Sequence, residues 1–257
     1  HRDLHLSIRR QRQMCIRDSF GSATDGTNLY VAEYNSHRIR KVVIATGAVT
    51  TFAGSSDGFL DHNTGTSAKF KNPSAVTIVG GNLYVAEYGN HRIRKIVLSS
   101  GAVTTLAGSG EQGSTDGTGT SATFKFPQAI TTDGTNLYVA DTNNNKIRKI
   151  DTSTGFVTTL AGSGTAGFTN ATGTAAKFNY PSGITTDGTN LYVADIENHK
   201  IRKIVISTGV VTTFAGSGSA GSANGTGASA SFNKPRGITT DGTNLYVTDH
   251  DGHKIRK

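Results

Sequence analysis

Cysteine is nearly missing from this 257-residue chain, with Cys15 standing alone. A single thiol closes no disulfide and cannot build a cysteine-based metal centre. Tryptophan is absent and methionine occurs once. No apolar run approaches the ~20 residues that cross a bilayer as a helix. The N-terminus is basic but lacks a continuous apolar core and a small-residue cleavage site, so no signal peptide is visible. Proline is scarce too: Pro73, Pro127, Pro181 and Pro235 are the only ones, and they fall at one constant interval.

That interval is the first positive feature. Leu-Tyr-Val recurs at Leu29, Leu83, Leu137, Leu191 and Leu245, each step being 54 residues. Ile-Arg-Lys keeps the same phase from Ile39, Ile93, Ile147, Ile201 and Ile255. Self-similarity at such a period is the signature of a repeat architecture. The copies run over about 19–72, 73–126, 127–180, 181–234 and 235–257, the last being partial. Residues 1–18 match no copy and read as a non-repeat, non-native or disordered segment. Lys257 has the phase of Lys203, inside a strand, so the chain reads as a fragment.

The net charge of +8 invites a nucleic-acid reading. Its source argues otherwise. Fifteen of the 26 Lys and Arg belong to the repeated triplet, such as Arg92, Arg94 and Lys95, and five more lie before residue 19. Within a strand, Arg92 and Arg94 lie on one side and Lys95 on the other. No aromatic residues are interleaved for base stacking.

Within the third copy, Ala129–Thr132, Leu137–Ala140, Lys146–Asp151 and Phe156–Ala161 read as four short strands. Asp133-Gly134-Thr135, Asp141–Asn145 and Ser153–Gly155 supply the turns between them. One such antiparallel meander would leave an apolar face in water, whereas stacked meanders bury both faces. Radial repetition of four-stranded sheets is a β-propeller. The expected fold is therefore all-β: a propeller of four-stranded antiparallel blades, four complete and a fifth partial, in an incomplete ring. A longer loop leads from each blade to the next, such as Gly162–Tyr180, and its Gly-Thr-x-x-Ala-x-Phe ending predicts a short helical turn with Phe and Pro pinning it to the following blade.

Phe178, Pro181, Gly183-Ile184, Asn190–Asp195, Asn198-His199, Ile201–Ile204 and Val211–Gly216 together give F-x-x-P-x-GI, NLYVAD, NH, IRKI and VTTFAG. This pattern resembles the NHL repeat, and the resemblance covers about residues 19–257. It implies a β-propeller, commonly of six blades. The first copy departs at Ser19, Ser22 and Ala23, and the second carries Val79 where the others have Asp.

Several constellations could carry chemistry. His37, His91, His199 and His253 share one phase, but zinc needs nitrogens ~2.0–2.1 Å from one centre, and same-phase residues of different blades are spread around the propeller axis. Asn145 also replaces one member. A turn-closing role for each histidine and the asparagine before it, against Asp195 and its equivalents, is the expectation. Asp141, Asp195 and Asp249, with Glu33 and Glu87, recur in every copy, whereas catalysis needs one group in a distinct environment; they read as turn caps or partners of Arg148, Arg202 and Arg256. The Asp116–Gly119 and Asn224–Gly227 loops carry too few acids for a calcium loop. No metal and no cofactor are expected.

Function should sit where the copies differ. Tyr34, Tyr88, Thr142, Ile196 and His250 share one turn position, and Asn72, Phe126, Tyr180 and Lys234 one loop position. Both positions belong to one predicted face of the blades, while the DGTN and STG turns of the other face stay nearly constant. A constant frame with one variegated face suits a binding surface. The reading is a non-catalytic scaffold for a protein or small ligand, extracellular or in a cell envelope, binding through Tyr34, Tyr88, Thr142, Ile196, His250, Phe126, Tyr180 and Lys234. The resemblance also implies two alternatives: a lyase or lactonase-like propeller enzyme with its catalytic residues outside this stretch, and an RNA binder, which the dispersed basic triplets disfavour.

Overall fold

The computed structural model describes residues 19–257; the readings made for residues 1–18 lie outside them. Five antiparallel sheets follow one another along the chain. The first holds β1 (Ser19–Thr24), β2 (Asn28–Glu33), β3 (Arg38–Val43) and β4 (Val49–Ala53). The second holds β5 (Pro73–Val79), β6 (Asn82–Glu87), β7 (Arg92–Val97) and β8 (Val103–Ala107). In the third, β10 (Pro127–Thr132), β11 (Asn136–Asp141), β12 (Lys146–Asp151) and β13 (Phe156–Ala161) gain a fifth member, β9 (Gly117–Thr118), from the preceding loop. The fourth is β14 (Pro181–Thr186), β15 (Asn190–Asp195), β16 (Lys200–Val205) and β17 (Val211–Ala215). The fifth is β18 (Pro235–Thr240), β19 (Leu245–Asp249) and β20 (Lys254–Arg256).

The fold is thus an all-β propeller of five blades. The count of four complete blades and a remnant needs correcting, because the last copy forms a blade of three strands in its own right. The physical reason is that β18 and β19 pair over their whole length and β20 adds Val247↔Arg256, Thr248↔Ile255 and Asp249↔Lys254, enough to hold the sheet.

Among the described residues, 19–90 with Arg94–Thr104 form one compact unit, and His91–Ile93 with Thr105–Lys257 form a second. In the first, β5 packs across β1 and β2. Its core gathers Tyr30, Ala32, Ile39, Phe70, Leu83, Val85 and Val103, all buried. Gly21 marks a close approach there: a Cβ on it would stand 2.6 Å from the Ala75 Cα.

In the second unit, β14 packs across β10 and β11, and β18 across β14 and β15. Tyr138, Ala140, Ile147, Phe178, Leu191, Val193, Ile204 and Val211 form its main core. Burial of both faces explains why NLYVAD alternates so weakly in polarity: Leu137, Tyr138, Val139 and Ala140 are all inaccessible to water. Ile201, Phe232 and Val247 form a smaller cluster with Ala194.

Each leading loop closes its own blade. His62 exchanges backbone hydrogen bonds with Val103, β9 pairs with Phe156 and Val157 of β13, and Thr172 bridges to Val210. The expected helical turn is a single 3-10 turn at Gly65–Ser67, Gly119–Ser121, Gly173–Ala175 and Gly227–Ser229.

Candidate functional site

The middle arginine of each basic triplet points inward. Arg94, Arg148 and Arg202 are fully buried, a costly placement unless every charge is matched. Arg148 Nη1 donates to Asp141 Oδ2 at 2.9 Å and to the Thr123 carbonyl at 3.0 Å; Nη2 donates to Asp116 Oδ1 at 2.7 Å and to the Thr115 carbonyl at 2.9 Å. Arg202 repeats this with Asp195, Lys177, Thr169 and Asn170. Arg94 does so with Glu87, Asp61 and the carbonyls of Lys69 and Leu60. The guanidinium of Arg148 lies over the Phe124 ring, that of Arg94 over Phe70 and that of Arg202 over Phe178. One side chain therefore staples the leading loop to the second and third strands of its blade.

The acid completes the staple. Asp141 Oδ1 accepts the Lys125 N–H at 2.7 Å, and Asn144 Nδ2 donates to Asp141 Oδ2 and to the Gly113 carbonyl. Burial pushes the Asp141 carboxyl up, to about 6, against the pull of Arg148 and these N–H donors. Burial raises Glu87 and Asp195 in the same way. The arginine–acid pairing expected from the sequence is present in all five copies. The loop partner at Asp116, Asn170 and Asn224, with Asp61 one residue out of their phase, was not foreseen, although the recurrence of Asp or Asn at the 54-residue steps from 116 to 224 was readable.

The opposite turns are held locally. Asp133 Oδ1 accepts the N–H groups of Thr135 and Asn136, and Tyr138 donates its hydroxyl to Oδ2 at 2.6 Å. Burial works to raise the Asp133 pKa, but these bonds prevail and leave it at about 2. Asp187 settles at about 2 by the same balance. For exposed Asp25 the N–H of Asn28 is the main cause of the same value. Burial first, then the adjacent Asp133, pushes the Tyr138 hydroxyl up.

The expected turn closure is made by both residues, His199 donating its N–H to the Ile196 carbonyl and Asn198 contacting Asp195, and the histidine ring reaches further. His37 Nδ1 accepts the Asn72 N–H, His91 Nδ1 that of Phe126, and His199 Nδ1 that of Lys234, each at 3.1 Å. The acceptor stands 35 residues before its donor. Asparagine is the residue that contacts the turn acid, as Asn198 does Asp195. No group of three or more His, Cys, Asp or Glu is disposed to hold a metal among the described residues.

The loop and turn positions expected to form a surface are brought together copy by copy. The N–H groups of Tyr88, Ile196 and His250 donate to the carbonyls of Asn72, Tyr180 and Lys234. In the first unit, the Tyr34 and Tyr88 rings stand 5.7 Å apart and Asn72 Nδ2 donates to the Tyr34 carbonyl. In the second, Phe126 meets His91 edge to face at 4.5 Å. Lys234 Nζ lies 3.6 Å from Glu197 and 3.9 Å from Asp251, and His250 contacts Asp251. Tyr180 is 44% exposed. Thr142 differs: it is buried, its hydroxyl bonded to the Pro181 carbonyl at 2.7 Å. Asn72, Phe126, Tyr180 and Lys234 all hold φ between 50° and 61°, a left-handed conformation that costs a non-glycine residue ~1–2 kcal/mol.

Residues 70–96, running from Phe70 under its arginine through the whole Glu87–Arg94 pair, match the NHL repeat family. The chain belongs to the NHL-repeat β-propeller family. The human NHL repeat-containing protein 2 is 33% identical over 216 residues, covering 73% of this chain and 30% of that protein. The chain spans less than a third of the length of the curated relatives it matches. Among solved structures, a protein of unknown function from Bacteroides thetaiotaomicron superposes with a TM-score of 0.68 at 24% identity, over 91% of this chain and 57% of the other. A chain of a nidogen–laminin complex superposes with a TM-score of 0.65 at 18% identity, over 92% and 74%. Both likenesses concern the fold. The NHL blades here share one internal staple and differ in what they present at the loop and turn positions.

Proposed function

We propose that this NHL propeller is a non-catalytic scaffold that binds a protein partner through its loop and turn positions. One observation carries the reading. A single backbone frame, with a positive φ imposed on a non-glycine residue in each of four copies, presents Asn72, Phe126, Tyr180 and Lys234 in turn. Glycine would adopt that conformation without cost, yet none of the four copies uses it. Strain retained at a position that is exposed at Tyr180 and half-buried at Asn72, Phe126 and Lys234 points towards recognition, and Tyr, Phe and Asn are residues suited to it. The recurring acids and histidines, by contrast, are consumed by the internal staple and by the Nδ1 acceptors, which leaves them no free role in turnover.

The test is photo-crosslinking with a probe residue at position 88 or 180, read by mass spectrometry, against probes at Thr135 and Thr189 on the constant turns. A partner captured at 88 or 180, and lost on Tyr34→Ser or Lys234→Ser with melting unchanged, is the expected result. Capture only from the DGTN turns would overturn the reading.

A further inference from the structure

The histidine acceptors work only while their Nδ1 is bare. The backbone N–H of Asn72, Phe126 or Lys234 brings its own proton, so the ring nitrogen that receives it carries none. Histidine is the side chain whose charge ordinarily changes between about pH 5 and 8, and an imidazolium is a donor at both nitrogens. Protonation at Nδ1 therefore sets one N–H against another. The copy between them differs. There Asn145 Oδ1 receives the Tyr180 N–H, and an amide oxygen accepts at any pH in that range.

The backbone leaves the rings little room to adjust. His37, His91 and His199 hold φ of 56°, 55° and 52°. Behind them, a Cβ on Gly54, Gly108 or Gly216 would stand 2.5, 2.6 or 2.5 Å from their carbonyl oxygens. The acids around these turns are engaged elsewhere. Glu33 pairs with Arg40, and Glu87 accepts from Arg94, Asn90 and the Lys71 N–H. Asp195 accepts from Arg202, Asn198 and the Asn179 N–H, while Glu197 and Asp251 flank Lys234 Nζ. Of the neighbouring cations, Arg92 turns to the Ser109 carbonyl and Lys200 to the Gly216 carbonyl. Lys71, Lys125 and Lys234 stand at or next to the donor residues, where they disfavour a further positive charge.

We propose that His37, His91 and His199 are acid-released latches on the presented positions Asn72, Phe126 and Lys234, whereas Asn145 latches Tyr180 irrespective of pH. Mild acid thus frees three of the four loop ends and leaves the fourth in place. The sign follows from the bond itself: each latch is complete while its ring is neutral and is lost as pH falls through the histidine range. What this does to partner binding rests on the function proposed above; the latch itself does not.

The experiment follows backbone amide exchange at positions 72, 126, 180 and 234 of the whole chain by NMR, from pH ~7.5 to ~5, as protection relative to the unstructured rate. Single amides are read rather than the overall melt, because the buried carboxyl of Asp141, raised by its burial, gains from acid over part of the same range. Protection at 72, 126 and 234 is expected to fall roughly fivefold, the worth of one ordinary hydrogen bond, with Tyr180 unchanged. Four amides that respond alike, or four that do not respond, would overturn the proposal. Two variants exchange the behaviours. His199→Asn should abolish the response at 234, and Asn145→His should create one at 180; a response that stays with the position rather than with the imidazole would also overturn it. No partner is needed for any of these readings, so the latch can fail while the crosslinking result stands, and the reverse.

Discussion

Asn145 Oδ1 accepts the N–H of Tyr180 at 2.9 Å, doing for its copy what a histidine Nδ1 does in three others. Both acceptors sit in the left-handed region, at φ 51° for Asn145 and 52° for His199. The requirement is a short side-chain acceptor on a residue that tolerates that conformation.

His199→Asn should therefore leave stability within ~0.5 kcal/mol, while His199→Leu strands the Lys234 N–H and costs ~1–3 kcal/mol. Urea melts of the two variants check this. Equal losses would mean that ring packing, not the acceptor, is what counts.

Arg148→Met should destabilise by ~3–5 kcal/mol, because it leaves the Asp141 carboxylate buried with its cationic partner gone. Arg40→Met should cost less than Arg148→Met, since Arg40 is partly exposed and its contact with the buried Glu33 is 3.3 Å long. Arg148→Lys should not rescue, as an ammonium cannot serve Asp116 and Asp141 with two separate forks. Denaturation midpoints for the three chains decide it.

Acid should act on the fold in two opposed steps. The carboxyl of Asp141 is raised to about 6 in the folded chain, so the folded state takes up that proton before the unfolded state does. Its contribution to stability therefore rises as pH falls from ~7 towards ~4. Asp133 and Asp187 are depressed to about 2 from an ordinary 3.8. Their stabilisation is complete above the ordinary value and is lost as pH falls through ~2. Urea titrations across this range should show Asp141→Asn flattening the upper limb and Asp133→Asn the lower one.

Gly183 shows no positive φ, yet a Cβ on it would stand 2.4 Å from the Arg236 carbonyl oxygen and 2.9 Å from the Ile238 nitrogen. Gly183→Ala should cost ~1–3 kcal/mol by forcing β14 away from β18. At Gly188, where nothing lies within 4 Å but φ is +88°, alanine should cost ~1 kcal/mol through the backbone alone. Parallel thermal melts separate the two causes.

The strands were legible because period 54 repeats each cue four or five times: Lys146–Asp151 and Phe156–Ala161 fall where the sequence puts them. The arginine–acid pairs were legible from their shared phase. The reach of His199 to Lys234 was not, because it joins a turn of one blade to the far end of the loop that leads into the next, and no local rule links residues 35 apart. Nor was the burial of Thr142, which looks like any turn threonine until the Pro181 carbonyl is placed above it. Loop strand β9 was missed for a similar reason: two residues, Gly117 and Thr118, carry no strand pattern of their own and become a strand only by pairing with β13.

That edge also bears on how such a chain could grow. Because a leading loop pairs with the outermost strand of its own blade, a segment such as 108–161 brings the cover for its vulnerable edge along with the sheet. In-frame duplication of that segment would add a blade without first exposing one to aggregation. Copy number could then drift ahead of any change in surface residues, with selection acting afterwards on positions such as 180 and 234. A genome could lengthen the array in one recombination event and diversify it later.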